Sequence, residues 1–176
     1  MDKVCIKALE NRTSVRRFSS ADVIQRDLED ILKAGLRAPS AGNVQPWRIV
    51  VVRDQQTRKK LAMAAGGQGF VEQAPVVLVI CAVPYESAER YRERGATLYV
   101  LQDTAALTQN ILLASYMKGY GTCWVGAFHE DQVSEIINLP KGMRPVALIP
   151  IGKPETEPRG KSGRRPIADV IVSESF

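Results

Sequence analysis

Ala38-Pro-Ser-Ala-Gly-Asn-Val-Gln-Pro-Trp47 runs almost directly into the apolar stretch Ile49-Val-Val-Val52. The first segment reads as a helix-ending loop and the second as a strand. Pro39 and Pro46 fix φ near both ends of the loop, so its amides and carbonyls need little ordering when something binds. Ser40, Asn43 and Gln45 alternate with small residues that let a ligand approach the backbone. An ordinary connection also uses Gly, Pro, Ser and Asn, so the loop acquires a function only from what accompanies it.

Working outward, 176 residues with 45% apolar and 24% charged side chains suit one domain with a full-sized core, spanning 1–176. No segment approaches the apolar length needed to cross a bilayer, and the charged N-terminus does not read as a signal peptide, so a cytoplasmic location is expected. Cys5, Cys81 and Cys123 are odd in number and widely spaced, which argues against a disulfide framework or a zinc site. The net charge of +5 gathers in two clusters, Arg12, Arg16 and Arg17 near the start and Arg159, Lys161, Arg164 and Arg165 near the end. Such clusters can serve nucleic acid, or converge on one phosphate if the termini lie close together.

Periodicity predicts a short helix over 3–11 with Val4, Ala8 and Leu9 inward. An amphipathic helix follows over Gln25–Arg37, carried by Leu28, Ile31, Leu32 and Leu36. A helix over 55–65 ends at Gly66-Gly67. Val76–Ala82 is continuously apolar, as a central strand covered on both faces would be. Glu86–Arg94 is highly charged and reads as an exposed helix or lid. Leu98–Lys118 is the longest helix and apolar nearly all round, which requires burial on several sides or a partner chain. Thr122–Val125 and Met143–Ile151 read as strands, and Glu130–Ile137 as a helix. The tail turns apolar again at Ile167, Val170, Ile171 and Val172, and so wants a surface to lie on. The alternation indicates an α+β or α/β layered domain with four or five strands.

Several familiar sites are missing. No Gly-x-Gly-x-x-Gly follows a strand and no Walker-type Gly-Lys-Ser/Thr occurs. The single histidine, His129, precedes a helix and reads as a surface or capping residue. It leaves little material for a metal cluster or a Ser-His-Asp triad. Trp47 and Trp124 read as core anchors at strand edges. The positive signals suit a phosphorylated ring. Arg12, Ser14 and Arg16 can all face one phosphate, since guanidinium forks pair with phosphate oxygens and a hydroxyl adds a donor.

These pieces together resemble the nitroreductase family of FMN-dependent oxidoreductases across nearly the whole chain. Arg12-Thr-Ser-Val-Arg-Arg-Phe18 is similar to the family's N-terminal phosphate-binding segment, although Thr13 stands where that pattern has a second arginine. Ala38–Trp47 is similar to its most specific signature, Leu98–Ala106 to its long central helix, Gly119–Phe128 to its flavin-ring strand, and Arg164–Ile167 to its C-terminal basic element. The resemblance implies an α+β fold, with a central mixed sheet flanked by helices and the long buried helix at the core of a homodimer. It implies FMN at each of two sites in the subunit interface. Arg12, Thr13, Ser14, Arg16 and Arg164, with Lys161 or Arg165, would hold the phosphate. Pro39, Ser40, Asn43 and Gln45 would reach the flavin of the partner subunit, and Val125 and Gly126 would lie beside its ring.

The implied activity passes two electrons from NADH or NADPH, through flavin N5, to a nitroaromatic, a quinone or a similar electrophile in a ping-pong cycle. Protons can come from water, so no acid–base residue is named, and neither a metal, a nucleic acid nor a membrane is expected as a partner. A flavin sensor or other flavin chemistry is the alternative, and a basic nucleic-acid module a more distant one.

Overall fold

Val76–Ala82, the most continuously apolar run in the chain, is buried along its whole length. The computed structural model describes residues 4–156 and 163–175, with no side-chain detail at 4 and 5. Its four strands are β1 (Trp47–Val52), β2 (Val76–Ala82), β3 (Gly121–Thr122) and β4 (Arg144–Gly152). They form one sheet in the order β1-β2-β4-β3, which places β2 inside as expected. Adjacent strands pair antiparallel. A parallel bridge from Ser14 to Thr122 makes the sheet mixed.

Among the described residues, seven α-helices surround it: α1 (Val4–Asn11), α2 (Gln25–Gly35), α3 (Gln55–Ala64), α4 (Gly69–Gln73), α5 (Pro84–Arg94), α6 (Val100–Met117) and α7 (Glu130–Ile136). The strand period of two divides them into layers. Leu78 and Ile80 share a core with Leu28 and Ile31 of α2 and with Leu107, Ile111 and Leu112 of α6. Val77, Val79 and Cys81 turn the other way, against Leu61 of α3, Val71 of α4 and Val133 of α7. A sheet covered on both faces explains the unbroken run in β2. The architecture is α+β, and among the described residues no helix is long and apolar enough to cross a membrane.

The C-terminal end of α6 is fastened by charge. Lys118 Nζ lies 3.0 Å from Asp27 and 2.6 Å from Asp30, both on α2. The Tyr120 hydroxyl donates to Asp27 at 2.9 Å and accepts the Ile24 N–H, while Lys153 Nζ sits 3.9 Å above the Tyr120 ring. This knot fixes where β3 begins, and therefore where the N-terminal segment docks.

Several expectations need correction. Leu9 is 59% exposed, and Leu36 is also exposed, so the inward faces of α1 and α2 are narrower than their periodicity suggested. Val4 and the helix start at Lys3 lie outside the described side chains and residues respectively. Trp124 is 41% exposed and anchors no core. The strand expected over Thr122–Val125 is interrupted: it pairs at Gly121–Thr122, leaves the ladder at Cys123 and Trp124, and meets β4 again only at Val125–Leu148. The buried face of α6 carries Asp103, Thr104, Thr108 and Ser115 beside its aliphatic residues. Thr104 and Thr108 tolerate this by donating to the carbonyls of Val100 and Thr104, one turn earlier. In front of α6 a π-helical turn, Gly95–Tyr99, joins it to α5.

Candidate active site

The N-terminal basic segment is held against β3. The Val15 N–H donates to the Thr122 carbonyl at 2.8 Å, and Phe18 bridges Pro154 beyond β4. Gly121 permits this approach, because a Cβ there would lie 2.6 Å from Val15 Cγ2. Residues on either side of Val15 then gather at Cys123. Burial pushes the Cys123 thiol pKa up, while the Arg16 and Arg12 charges and a hydrogen bond from Ser14 pull the other way. Arg16 also lies over the Phe70 ring. Thr13 Oγ1 is buried without a partner. The Arg12 and Arg16 guanidiniums and the Ser14 hydroxyl therefore all act on Cys123.

Pro39, Ser40, Asn43 and Gln45 form a second group, in the turn between α2 and β1. Gly42, Asn43 and Gln45 have φ of 56°, 57° and 56°, in the left-handed region. Asparagine accepts that region readily and glutamine does not, so the turn carries backbone strain of the kind that gathers at functional sites. The turn is cinched internally: Ser40 Oγ accepts the Gln45 N–H at 3.0 Å, and Ser40 O accepts the Asn43 N–H at 2.9 Å. With one lone pair so occupied, the Ser40 hydroxyl proton remains available to donate outward.

Two residues that sequence reasoning missed grip this turn. Asp103 of α6, 6% exposed, accepts the Ala41 N–H at 3.0 Å through Oδ1. Its Oδ2 is buried without a partner, and burial raises its pKa. From the other side, Arg90 of α5 donates to the Gly42 carbonyl at 3.0 Å. A Cβ on Gly42 would lie 2.5 Å from the Tyr91 hydroxyl, so the charged helix is seated directly on the turn. Arg48 and Glu86 pair at the base of α5, and Tyr91 meets Tyr99 edge to face. No periodicity signals Asp103 or Arg90, since each acts through a contact distant in sequence.

The two groups occupy opposite ends of α6. Asp103 holds the turn near the N-terminal end; Lys118 leads into β3 and the arginine cluster, 15 residues later. At 1.5 Å per residue this is about 22 Å along the helix. Val125, beyond Cys123, is buried where it bridges Leu148 of β4, and a Cβ on the exposed Gly126 would meet nothing within 4 Å. Arg164 and Arg165 are exposed in the tail, with Arg164 bonded to the Gly163 carbonyl, and Lys161 lies outside the described residues. No cluster of metal-ligating side chains occurs among the described residues.

Similarity to known proteins follows the same elements. The model of the nitroreductase family matches residues 9–68 and 62–153, which includes the arginine segment, the strained turn, α6 and β3. The chain belongs to the nitroreductase family. It is an oxidoreductase of that type. A curated NADH dehydrogenase of Thermus thermophilus is 34% identical over 190 residues, covering 92% of this chain and 91% of the relative. The structure of nitroreductase A from Vibrio parahaemolyticus superposes with a TM-score of 0.90 at 29% identity, covering 100% of this chain and 77% of that one. An NADPH:FMN oxidoreductase from Vibrio harveyi, solved with NAD+, gives 0.90 at 28% identity, covering 99% and 78%.

Proposed function

We propose that this nitroreductase-family chain forms a homodimer that binds FMN between its subunits and passes electrons from NADH or NADPH to a nitroaromatic, a quinone or a similar small electrophile. The observation that carries this reading is the separation of the two polar groups to opposite ends of α6. A cofactor that used both the arginine cluster and the strained turn would draw them from different chains. The apolar side chains left exposed on α1 and in the tail, Ile6, Leu9, Ile167 (76% exposed), Val170 and Ile171, supply surface for that contact.

The residues present fit such a cofactor. Arg12 and Arg16 offer charge-assisted donors to a terminal phosphate, with Ser14 and the orphaned Thr13 hydroxyl as short donors beside them. Arg164, Arg165 and Lys161 belong to the tail that would close over the same phosphate. Ser40, Asn43 and Gln45 offer hydrogen-bonding groups to the polar edge of a flavin, and Pro39 stiffens the start of their turn. Val125 supplies an apolar wall, and Gly126 leaves room for close approach. Bound FMN would supply the two-electron redox chemistry, and the protein its orientation, charge environment and shielding. The activities of the relatives, NADH dehydrogenase and NADPH:FMN oxidoreductase, support a nicotinamide donor. Cys81 and Cys123 are free and buried, which suits a reducing, cytoplasmic setting.

The test begins with colour. Purified protein should be yellow and release FMN on denaturation, and anaerobic NADH or NADPH should bleach it until a nitroaromatic or quinone restores the colour. Protein that neither carries nor takes up flavin would overturn the reading. Flavin that no nicotinamide reduces would point to a sensor.

A further inference from the structure

Asp103 is an expensive residue for the place it occupies. A carboxylate on the buried face of α6, with Oδ1 engaged and Oδ2 unpartnered, destabilises the fold relative to a neutral group of the same shape. On that face Thr104 and Thr108 bond to their own helix, while the smaller, uncharged Ser115 hydroxyl is buried without a partner. Asp103 reaches off the helix, to the backbone N–H that opens the strained turn. From Ala41 the chain then enters the left-handed residues Gly42, Asn43 and Gln45, and returns to Ser40 Oγ. Fixing Ala41 therefore fixes the directions in which Ser40, Asn43 and Gln45 present their polar groups.

We propose that Asp103 is a positioning residue for the flavin-facing turn, its carboxylate holding the Ala41 N–H so that Ser40, Asn43 and Gln45 are arranged before the cofactor arrives. The proposal rests on the reading that this turn contacts FMN. Asp103 touches neither cofactor nor substrate; it acts through the backbone. Arg90 assists from the solvent side, where its bond to the Gly42 carbonyl is exposed and correspondingly weaker.

The test compares Asp103→Asn, Asp103→Leu and Asp103→Ala with wild type. The readouts are the apoprotein melting temperature, the affinities for FMN and riboflavin, and the visible absorption of bound flavin. Asparagine retains an oxygen at the Oδ1 position and should bind flavin within about threefold of wild type, with an unshifted band. Leucine removes the acceptor while filling the space. It should melt at or above the wild-type temperature, yet bind both FMN and riboflavin about tenfold or more weakly, with a shifted band. Equal losses for the two flavins mark an effect on the ring side rather than at the phosphate. If the leucine variant does not fold, the alanine variant carries the same comparison.

Wild-type affinity and an unshifted band in the variants lacking the acceptor would overturn the role of Asp103 alone. So would an asparagine variant as impaired as they are. A wild-type protein that binds no FMN would overturn the flavin reading, and this role with it.

Discussion

Gly121→Ala tests whether the arginine segment depends on its contact with β3. The added Cβ would lie 2.6, 2.7 and 2.9 Å from Val15 Cγ2, Cβ and Cγ1. Val15 is β-branched and buried, and its own N–H is bonded to Thr122 O at 2.8 Å, so the side chain cannot turn aside without moving the backbone. Overpacking of this kind costs about 1–3 kcal/mol, and loss of the bridge bond about 0.5–1.5 more. Out of a typical total stability of about 5–15 kcal/mol, the protein should remain folded. The displaced part is the segment that carries Arg12, Ser14 and Arg16. At about 1.4 kcal/mol per tenfold, FMN affinity should fall by at least about tenfold, and riboflavin affinity by much less. Thermal melts and fluorescence titrations with both flavins measure the two effects. Val15→Ala removes Cγ1 and Cγ2 but leaves the Cβ contact, so Gly121→Ala should cost less in that background without becoming free. Unchanged melting and FMN affinity in Gly121→Ala, or an identical cost in both backgrounds, would refute the reasoning.

Arg12→Ala and Arg164→Ala should each weaken FMN binding about ten- to a hundredfold, the value of one charge-assisted bond, while sparing riboflavin; calorimetric titration with each ligand reports the difference. The knot at the end of α6 should make stability depend on pH. The hydrogen bond from Lys118 lowers the pKa of Asp27 and Asp30 below the ordinary 3.8, so their contribution is complete above that value and is lost as pH falls through the lowered ones. Asp30 and Asp27 raise Lys118 above 10.5, so its share is present below that value and is lost as pH rises through the raised one. Lys118→Met should therefore lower the melting temperature most in the neutral range, with the deficit shrinking below about pH 4 and above about pH 10.5. Truncation after Pro166 removes Ile167, Val170, Ile171 and Val172, all exposed in the single chain, and should cost both dimer and flavin; light scattering with flavin assayed on the same sample tests the linkage. A truncated monomer with tightly bound stoichiometric FMN would break it.

Much of this arrangement was legible in the chain itself. β2 announced its place through an unbroken apolar run, because a strand covered on both faces has no polar side to show. Gly66 and Gly67 marked the end of α3, where both adopt positive φ. The arginine segment and the Ala38–Trp47 turn stood out because their residue types suit the chemistry proposed for them. What escaped was decided at a distance. Trp124 looked like a core anchor, but the strand leaves its ladder at that point and turns the indole outward. The short α4 lacks a full amphipathic repeat. Asp103 was hidden inside an otherwise aliphatic helix, since its partner Ala41 lies 62 positions away. The seating of α5 was hidden for the same reason: alternating Glu and Arg describe an exposed helix well enough, but not the carbonyl on which Arg90 rests.

The parallel bridge from Ser14 to Thr122 has a consequence for the order in which the molecule is made. A chain synthesised from its N-terminus releases Arg12–Phe18 among its first residues, yet the backbone partners that tie that segment to the sheet side, Thr122, Pro154 and Glu155, are among its later ones. Closing contacts across more than a hundred residues is slow relative to forming α2 or α3, whose contacts are local. The basic arm must therefore wait, undocked, while the sheet assembles without it. On the proposed reading, a nascent chain lacks the phosphate side of its flavin site until β4 has emerged. Flavin capture is then a late event that reports completion of the fold, rather than a scaffold around which folding begins.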